Sequence, residues 1–390
     1  MIFNSEYLIE KLKHKHGDLE VTSEDELLRL MSSGKIPDKD LISAFTDIRL
    51  KLGEHMKLDA VLFLFGNGAS IYAGSKDTHD FCLANYTQKA QYREIGDTLE
   101  KIKTLGIEEQ LNALITIQTF YNITGDQLEN SVSSLIDEIK KDLICEFVNS
   151  VDYQKLSLHN MFLLKLRAFS CLPRTQIFTP NYDLAFEYTL DQLSIEYCDG
   201  FSGFVNRQFD SRTLSGNGRT KLIKIHGSVN WVLDAEKIKE LQPRFSNGKV
   251  EIADTQPILI YPTSGKLYQT YATPYSELMR HMLNKMETGK NVITVLGYRY
   301  GDEHINEILY KALENPNNIF YFFGYGSIEN CTFLANIREL TESMPNVNLI
   351  FGKVLASFDT FVKYILPATL EKTDEEKALE MLQKVLVKHE

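Results

Sequence analysis

Four stretches of the chain put small, polar or ionisable residues straight after an apolar run. They are "FGNGAS" at 65–70, "FTPNYD" at 178–183, "KIHGSVNW" at 224–231 and "VLGYRYGDEHIN" at 295–306. In an open α/β sheet such positions fall at the carboxyl ends of strands, where ligands bind. Gly66 and Gly68, followed by Ala69 and Ser70, permit a turn too tight for a side chain and leave backbone N–H groups able to face a phosphate. A plain strand-to-helix turn would need the same residues. The stretch is not a P-loop, since no Gly-Lys-Ser/Thr follows, and Ile71 stands where the G-x-G-x-x-G fingerprint has its third glycine.

Thr179, Asn181 and Asp183 fall within one turn. Asn and Asp cap helices, and an Asn amide, donor and acceptor at once, also suits a water or a ribose hydroxyl. His226, followed by Gly227, is the histidine placed for acid–base work, with a buried structural role as the alternative. Gly297 and Tyr298 form the fourth turn, and Asp302 either caps the next helix or meets a ribose. His14 and His16 lie in a charged N-terminal helix, where spacing alone makes no metal site. No carboxylate and histidine set has ligand spacing, and the five cysteines are scattered without a C-x-x-C pair. The expectation is reduced thiols and no metal.

The elements that must hold these residues follow from periodicity. Short runs such as "TQIFT", "LSIEYC", "KLIKIHG", "PILIYP", "NVITVLG", "NIFYFFGYG" and "VNLIFG" lack polar alternation and are separated by helical stretches. That pattern predicts a parallel sheet covered on both faces, an α/β fold of Rossmann-like type. The strand at 59–65 belongs to the same sheet, so the helical block at about 80–170 is an insertion in a domain running from 58 to 365. "VNRQFDSRTLSGNGRTK" reads as a loop or hairpin excursion. Residues 1–57 form a helical extension, with Ser23 and Glu26 at capping-box spacing and a stop at Gly34. Residues 366–390 predict a charged amphipathic helix with Leu379, Met381, Leu382 and Leu386 on one side, packed on the body or contacting a partner.

The length of 390 residues suits two to three domains at roughly 150 residues each. A net charge of −11 argues against overall attraction to nucleic acid or anionic membrane. No segment is apolar for long enough to span a bilayer or to serve as a signal peptide, so a cytoplasmic protein is expected.

Taken in order, G-x-G-A-S, a helical insertion, T-x-N-Y-D, K-x-H-G-S-x-x-W and G-Y-x-x-x-D-x-x-I-N resemble the sirtuin superfamily, and within it the bacterial sirtuin-like domains of antiphage defence. The resemblance spans about residues 60–310. It implies NAD at the carboxyl edge of the sheet, its pyrophosphate at Gly66–Ser70, and cleavage of the nicotinamide–ribose bond. Asn181 would position ribose and water, Asp183 would lie near the carboxamide, and His226 would act as general base. Asp302 and the Gly297–Tyr298 turn would hold the adenosine side, with Thr179 and Gly227 completing the pocket.

The departures are specific. Deacetylating sirtuins carry a four-cysteine zinc module after the His-Gly segment, but "HGSVNWVLDAEKIKELQPRF" has no cysteine. "AGSKDTHDF" echoes the deacetylase loop only through Gly74, Asp77 or Asp80, and Phe81, and Tyr182 replaces an aliphatic residue. These changes favour hydrolysis of NAD by water, with no structural zinc and no cofactor beyond NAD as substrate. The competing readings are a non-catalytic module binding NAD or ADP-ribose and, behind it, a protein deacylase. The resemblance also implies a homo-oligomer and a HerA-type ATPase partner, with no membrane and nucleic acid only indirectly.

Overall fold

The computed structural model describes residues 2–13, 21, 23–76, 86, 89–216, 218–251, 257, 259–260, 271–341 and 343–368. The strands are β1 (Ile2–Phe3), β2 (Ala60–Phe65), β3 (Thr175–Thr179), β4 (Tyr197–Cys198), β5 (Phe201–Ser202), β6 (Arg207–Phe209), β7 (Thr220–Lys224), β8 (Trp231–Asp234), β9 (Lys237–Glu240), β10 (Arg244–Ser246), β11 (Lys249–Glu251), β12 (Asn291–Leu296), β13 (Ile319–Gly324) and β14 (Val347–Phe351). The main helices are α1 (Ser5–Lys13), α2 (Glu24–Ser32), α3 (Asp38–Ala44), α4 (Thr46–His55), α5 (Gly96–Ile102), α6 (Ile107–Thr124), α7 (Glu129–Ser150), α8 (Ser157–Ala168), α9 (Ala185–Gln192), α10 (Tyr275–Glu287), α11 (Glu303–Leu313) and α12 (Thr332–Leu340).

Eight strands form one sheet in the order β1-β14-β13-β12-β2-β3-β7-β4, every neighbouring pair parallel. Without β1 and β4, and counting from β2, this is the 3-2-1-4-5-6 order of a dinucleotide-binding sheet. Successive residues of each strand enter opposite faces. Val61, Phe63 and Phe65 join a core built with α1–α4, α8 and residues 358–366, whereas Leu62 and Leu64 join a second core with α10, α11 and α12. Burial on both faces explains why the runs show no polar alternation.

Helices α5–α7 close on their own apolar cluster, among them Leu99, Leu111, Leu114, Leu135 and Ile139. No strand occurs between residues 89 and 170. Ser23 Oγ accepts from the Glu26 amide at 3.3 Å and Gly34 has φ +68°, the cap and stop expected for α2.

The sequence reading needs correction in several places. "LSIEYC" contributes only Tyr197–Cys198 as strand, because Leu193 still closes α9. Within "PILIYP" the described residues give a single bridge, Leu259 opposite Gly227. The extension is not wholly helical, since Ile2 and Phe3 pair with Leu349 and Ile350 at the sheet edge. The excursion at 205–221 contains β6, which pairs antiparallel with β5 as a hairpin, and β9 and β8, which follow β7 and were not foreseen, extend it to the four-stranded sheet β5-β6-β9-β8. Among the described residues no helix is long and apolar enough to cross a membrane. The expected C-terminal helix, His14, His16 and residues 77–85 lie outside the described residues or nearly so.

Candidate functional site at the carboxyl edge of the sheet

The register places the four motif stretches along one edge. Phe65 pairs with Leu296, Leu64 with Phe178, and Thr179 with Lys224, so β2, β3, β7 and β12 end together. The strand order reverses between β2 and β12, and there the two glycine turns meet. A Cβ on Gly66 would stand 2.5 Å from the Gly297 carbonyl oxygen, and one on Gly68 would stand 2.6 Å from Gly297 Cα. Gly297 itself has φ +66°. Only glycine satisfies that approach.

This closeness changes the expected use of the first loop. The N–H groups of Gly66, Gly68, Ala69 and Ser70 donate to Leu296, Gly297, Gly66 and Asn67 carbonyls at 3.1, 2.9, 3.0 and 2.8 Å. These four amides therefore do not stand ready for a phosphate; the glycines serve first to bring two strand ends together. The segment after the loop forms two short 3-10 turns at 67–69 and 71–73. The Ser70 and Ser228 hydroxyls are buried with no hydrogen-bond partner among the described residues.

Asn181 ties the second stretch to the first. Its Nδ2 donates to Gly66 O at 3.2 Å, and its own amide donates to Thr179 Oγ1 at 3.0 Å. Thr179 Oγ1 in turn donates to Phe65 O at 2.7 Å. Asp183 Oδ1 accepts from the Ala185 amide at 2.9 Å, so one of its oxygens closes the turn into α9.

His226 leaves the end of β7, beside β3, where Ile225 N donates to Thr179 O at 2.9 Å. Its carbonyl accepts from Ile260 N at 2.9 Å, and Gly227 turns the chain with φ +89°. The imidazole is 4% exposed, and its Nε2 stands 2.9 Å from Nε2 of His304. Asp302 takes the N-cap position of α11 with no capping bond from its side chain. Tyr298 donates to Asp302 O and accepts from Asp302 N, each at 3.1 Å. Burial, and then the Asp302 charge, push the Tyr298 phenol well above its usual range, so it remains a donor.

Two further residues belong here that sequence reasoning did not single out. Lys224, 2% exposed, donates to the carbonyls of Tyr182, at 3.1 Å, and Asp183, and pairs with Glu187 at 3.0 Å. Burial raises the Glu187 carboxyl while Lys224 pulls it down. The signal was a lysine inside an apolar strand run. His304 is the other, one step into α11. Ligand atoms of His226, Asp302 and His304 all lie within 4.8 Å of one another, which corrects the expectation that no carboxylate–histidine set is arranged for a metal. The distance of His226 in sequence from Asp302 and His304 hid the cluster.

Residues 175–338 match a family model described as a SIR2-like domain. No curated protein matches the chain. Among solved structures, a Sir2 homolog–NAD complex is similar at 12% identity and a TM-score of 0.42, over 81% of this chain and 93% of that one. Sir2Tm bound to a propionylated peptide is similar at 12% identity and a TM-score of 0.34, over 75% and 97%. The fold rests on the strand order above. The segment from β3 into α12, which supplies Asn181, His226 and the Gly297 turn, is similar to a SIR2-like domain.

Proposed function

We propose that the chain is an NAD glycohydrolase that releases nicotinamide and ADP-ribose. The observation that carries this reading is that one sheet edge holds Asn181, tied to the Gly66 turn at the reversal point of a 3-2-1-4-5-6 sheet, and His226, whose ring meets His304 of the helix that follows the Gly297 turn. The match to a SIR2-like domain supports it.

In the proposed reaction the C1–nitrogen bond breaks with its electron pair passing to the pyridinium, which leaves as neutral nicotinamide. The ribose carries positive charge as this happens, and water then forms the new C1–oxygen bond and gives up a proton. Asn181, held against Gly66, orients the ribose and that water. His226 serves as general base toward a ribose hydroxyl or the water. Asp183 faces the carboxamide with the oxygen not committed to Ala185, the Gly297–Tyr298 turn holds the adenosine side, and Asp302 stands with His226 and His304. Thr179, Gly227, Ala69 and Ser70 complete the walls.

The resemblance to antiphage domains extends this to NAD depletion during infection, with a HerA-type ATPase as partner. A homo-oligomer would form on exposed apolar residues such as Phe120 and Ile123 of α6, or Phe204 and Val205 between β5 and β6. The absence of cysteine from 226–245 favours hydrolysis over deacylation.

Nicotinamide release from NAD by purified protein, run beside His226→Ala, is the test. Release that falls at least a hundredfold in the variant is expected. NAD binding without release, alone or with a HerA-type ATPase, would leave a binding module; acyl-lysine turnover would make the chain a deacylase.

A further inference from the structure

His226 and His304 arrive from different elements, the end of β7 and the first turn of α11, yet bring the same ring atom to one point. Their Nε2 atoms are 2.9 Å apart, the rings are 4% and 8% exposed, and one ring nitrogen of each histidine and an Asp302 carboxylate oxygen all lie within 4.8 Å of one another. Asp302 holds an N-cap position without using its side chain as a cap, which leaves the carboxylate beside the imidazoles. Two nitrogens at about 2.0–2.1 Å from a tetrahedral ion stand about 3.3 Å apart. The imidazole pair is within about half an ångström of that, and rotation of half-buried Asp302 brings in the third ligand. Two imidazoles and one carboxylate suit zinc, cobalt or nickel ions better than magnesium or calcium, which take oxygen sets.

We propose that His226, His304 and Asp302 bind one divalent transition-metal ion of the zinc class, and that the bound ion silences the site. The second clause rests on the hydrolase reading: the ion takes the Nε2 lone pair that His226 needs as a base. In the ion's absence one Nε2 carries a proton and donates to the other. Binding moves that proton to the ring's Nδ1, so both Nε2 atoms offer lone pairs and neither imidazole loses a proton overall. The same three residues thus hold either a proton or a metal ion between the two rings.

Full-length protein stripped with chelator is titrated with Co²⁺, followed by its visible absorption, and with Zn²⁺ by calorimetry. One equivalent per chain is expected, with the visible bands of tetrahedral cobalt and without the strong near-ultraviolet bands of thiolate ligation. Asp302→Ala and His304→Gln should each weaken binding at least tenfold; the glutamine keeps a donor for His226 while being a poor ligand, and melting curves establish that both variants fold. No binding, thiolate bands, or binding unchanged in both folded variants overturns the site. Saturating Zn²⁺ should lower nicotinamide release at least tenfold, and chelator should restore it. Full turnover with the ion bound overturns the silencing. Absence of turnover under all conditions would sink the hydrolase reading alone, because the cobalt spectrum decides the site without it.

Discussion

Asn181 has two jobs that can be separated by one atom. Its Nδ2 holds the Gly66 carbonyl, which fixes the second strand end to the first, and in the proposed reaction the same side chain orients ribose and water. Asn181→Asp keeps the shape but cannot donate to Gly66 O, and its carboxylate repels that carbonyl oxygen and so shifts the side chain from its place. Nicotinamide release should fall by two orders of magnitude or more, with a stability loss of about 1–3 kcal/mol by denaturant titration. Unchanged release would remove Asn181 from the machinery. At this scale the sequence was informative about type and misleading about use. Asp183 closes a turn through Ala185, the capping use its position already offered, whereas the Gly66 and Gly68 amides are engaged by Leu296 and Gly297, distant partners that leave no trace in local spacing. His304 and Lys224 were invisible for the same reason: a histidine inside a helix and a lysine inside a strand gain meaning only from what faces them.

At the scale of elements, the β2 and β12 turns act as one unit. Gly68 and Gly297 approach so closely that neither tolerates a Cβ, and Gly297 is left-handed besides. Gly297→Ala should therefore cost about 1–3 kcal/mol, read as a lower denaturant midpoint, and should displace Asn181 through Gly66. Activity lost without loss of stability would show the turn to be a ligand contact rather than a scaffold. The long strands were legible because each is buried on both faces and so reads as an unbroken apolar run. The antiparallel strands β5, β8 and β9 were not, and β6 only as part of a loop or hairpin, since they are short and half-exposed and carry charges such as Arg207, Lys239 and Glu240. Arg207 there bridges Asp199 and Glu240, an ion pair that only the folded sheet brings together.

For the whole molecule, one buried and one half-buried histidine cost stability in acid. His159, fully buried beside Tyr72, has its pKa lowered by burial to about 3. His281, which contacts Gln176 at 2.9 Å, has its own lowered to about 4 by burial and then by Lys221 and Lys285. Both values lie below the unfolded value near 6.5, so the unfolded chain binds protons that the folded one refuses. Stability is full above pH 6.5 and declines as pH falls toward 4, by up to ~1.4 kcal/mol per pH unit for each ring. Melting temperature should drop between pH 7 and pH 5, and His281→Gln should flatten part of that slope. A melting temperature independent of pH over this range would contradict the burial of both rings.

The pairing of Ile2 and Phe3 with Leu349 and Ile350 has a consequence in time. β1 is synthesised well before its partner β14 and waits for it roughly 20–70 s at 5–20 residues per second. Ala60 to Phe65 wait about two-thirds as long for one of their two neighbours, β12. Until then the sheet is open along the very seam where the two glycine turns meet. A nascent chain can thus bury its helical insertion early, but the carboxyl-edge site comes into being only when translation has passed residue 300, and a truncated product would carry Asn181 and His226 without the turn that brings them to work.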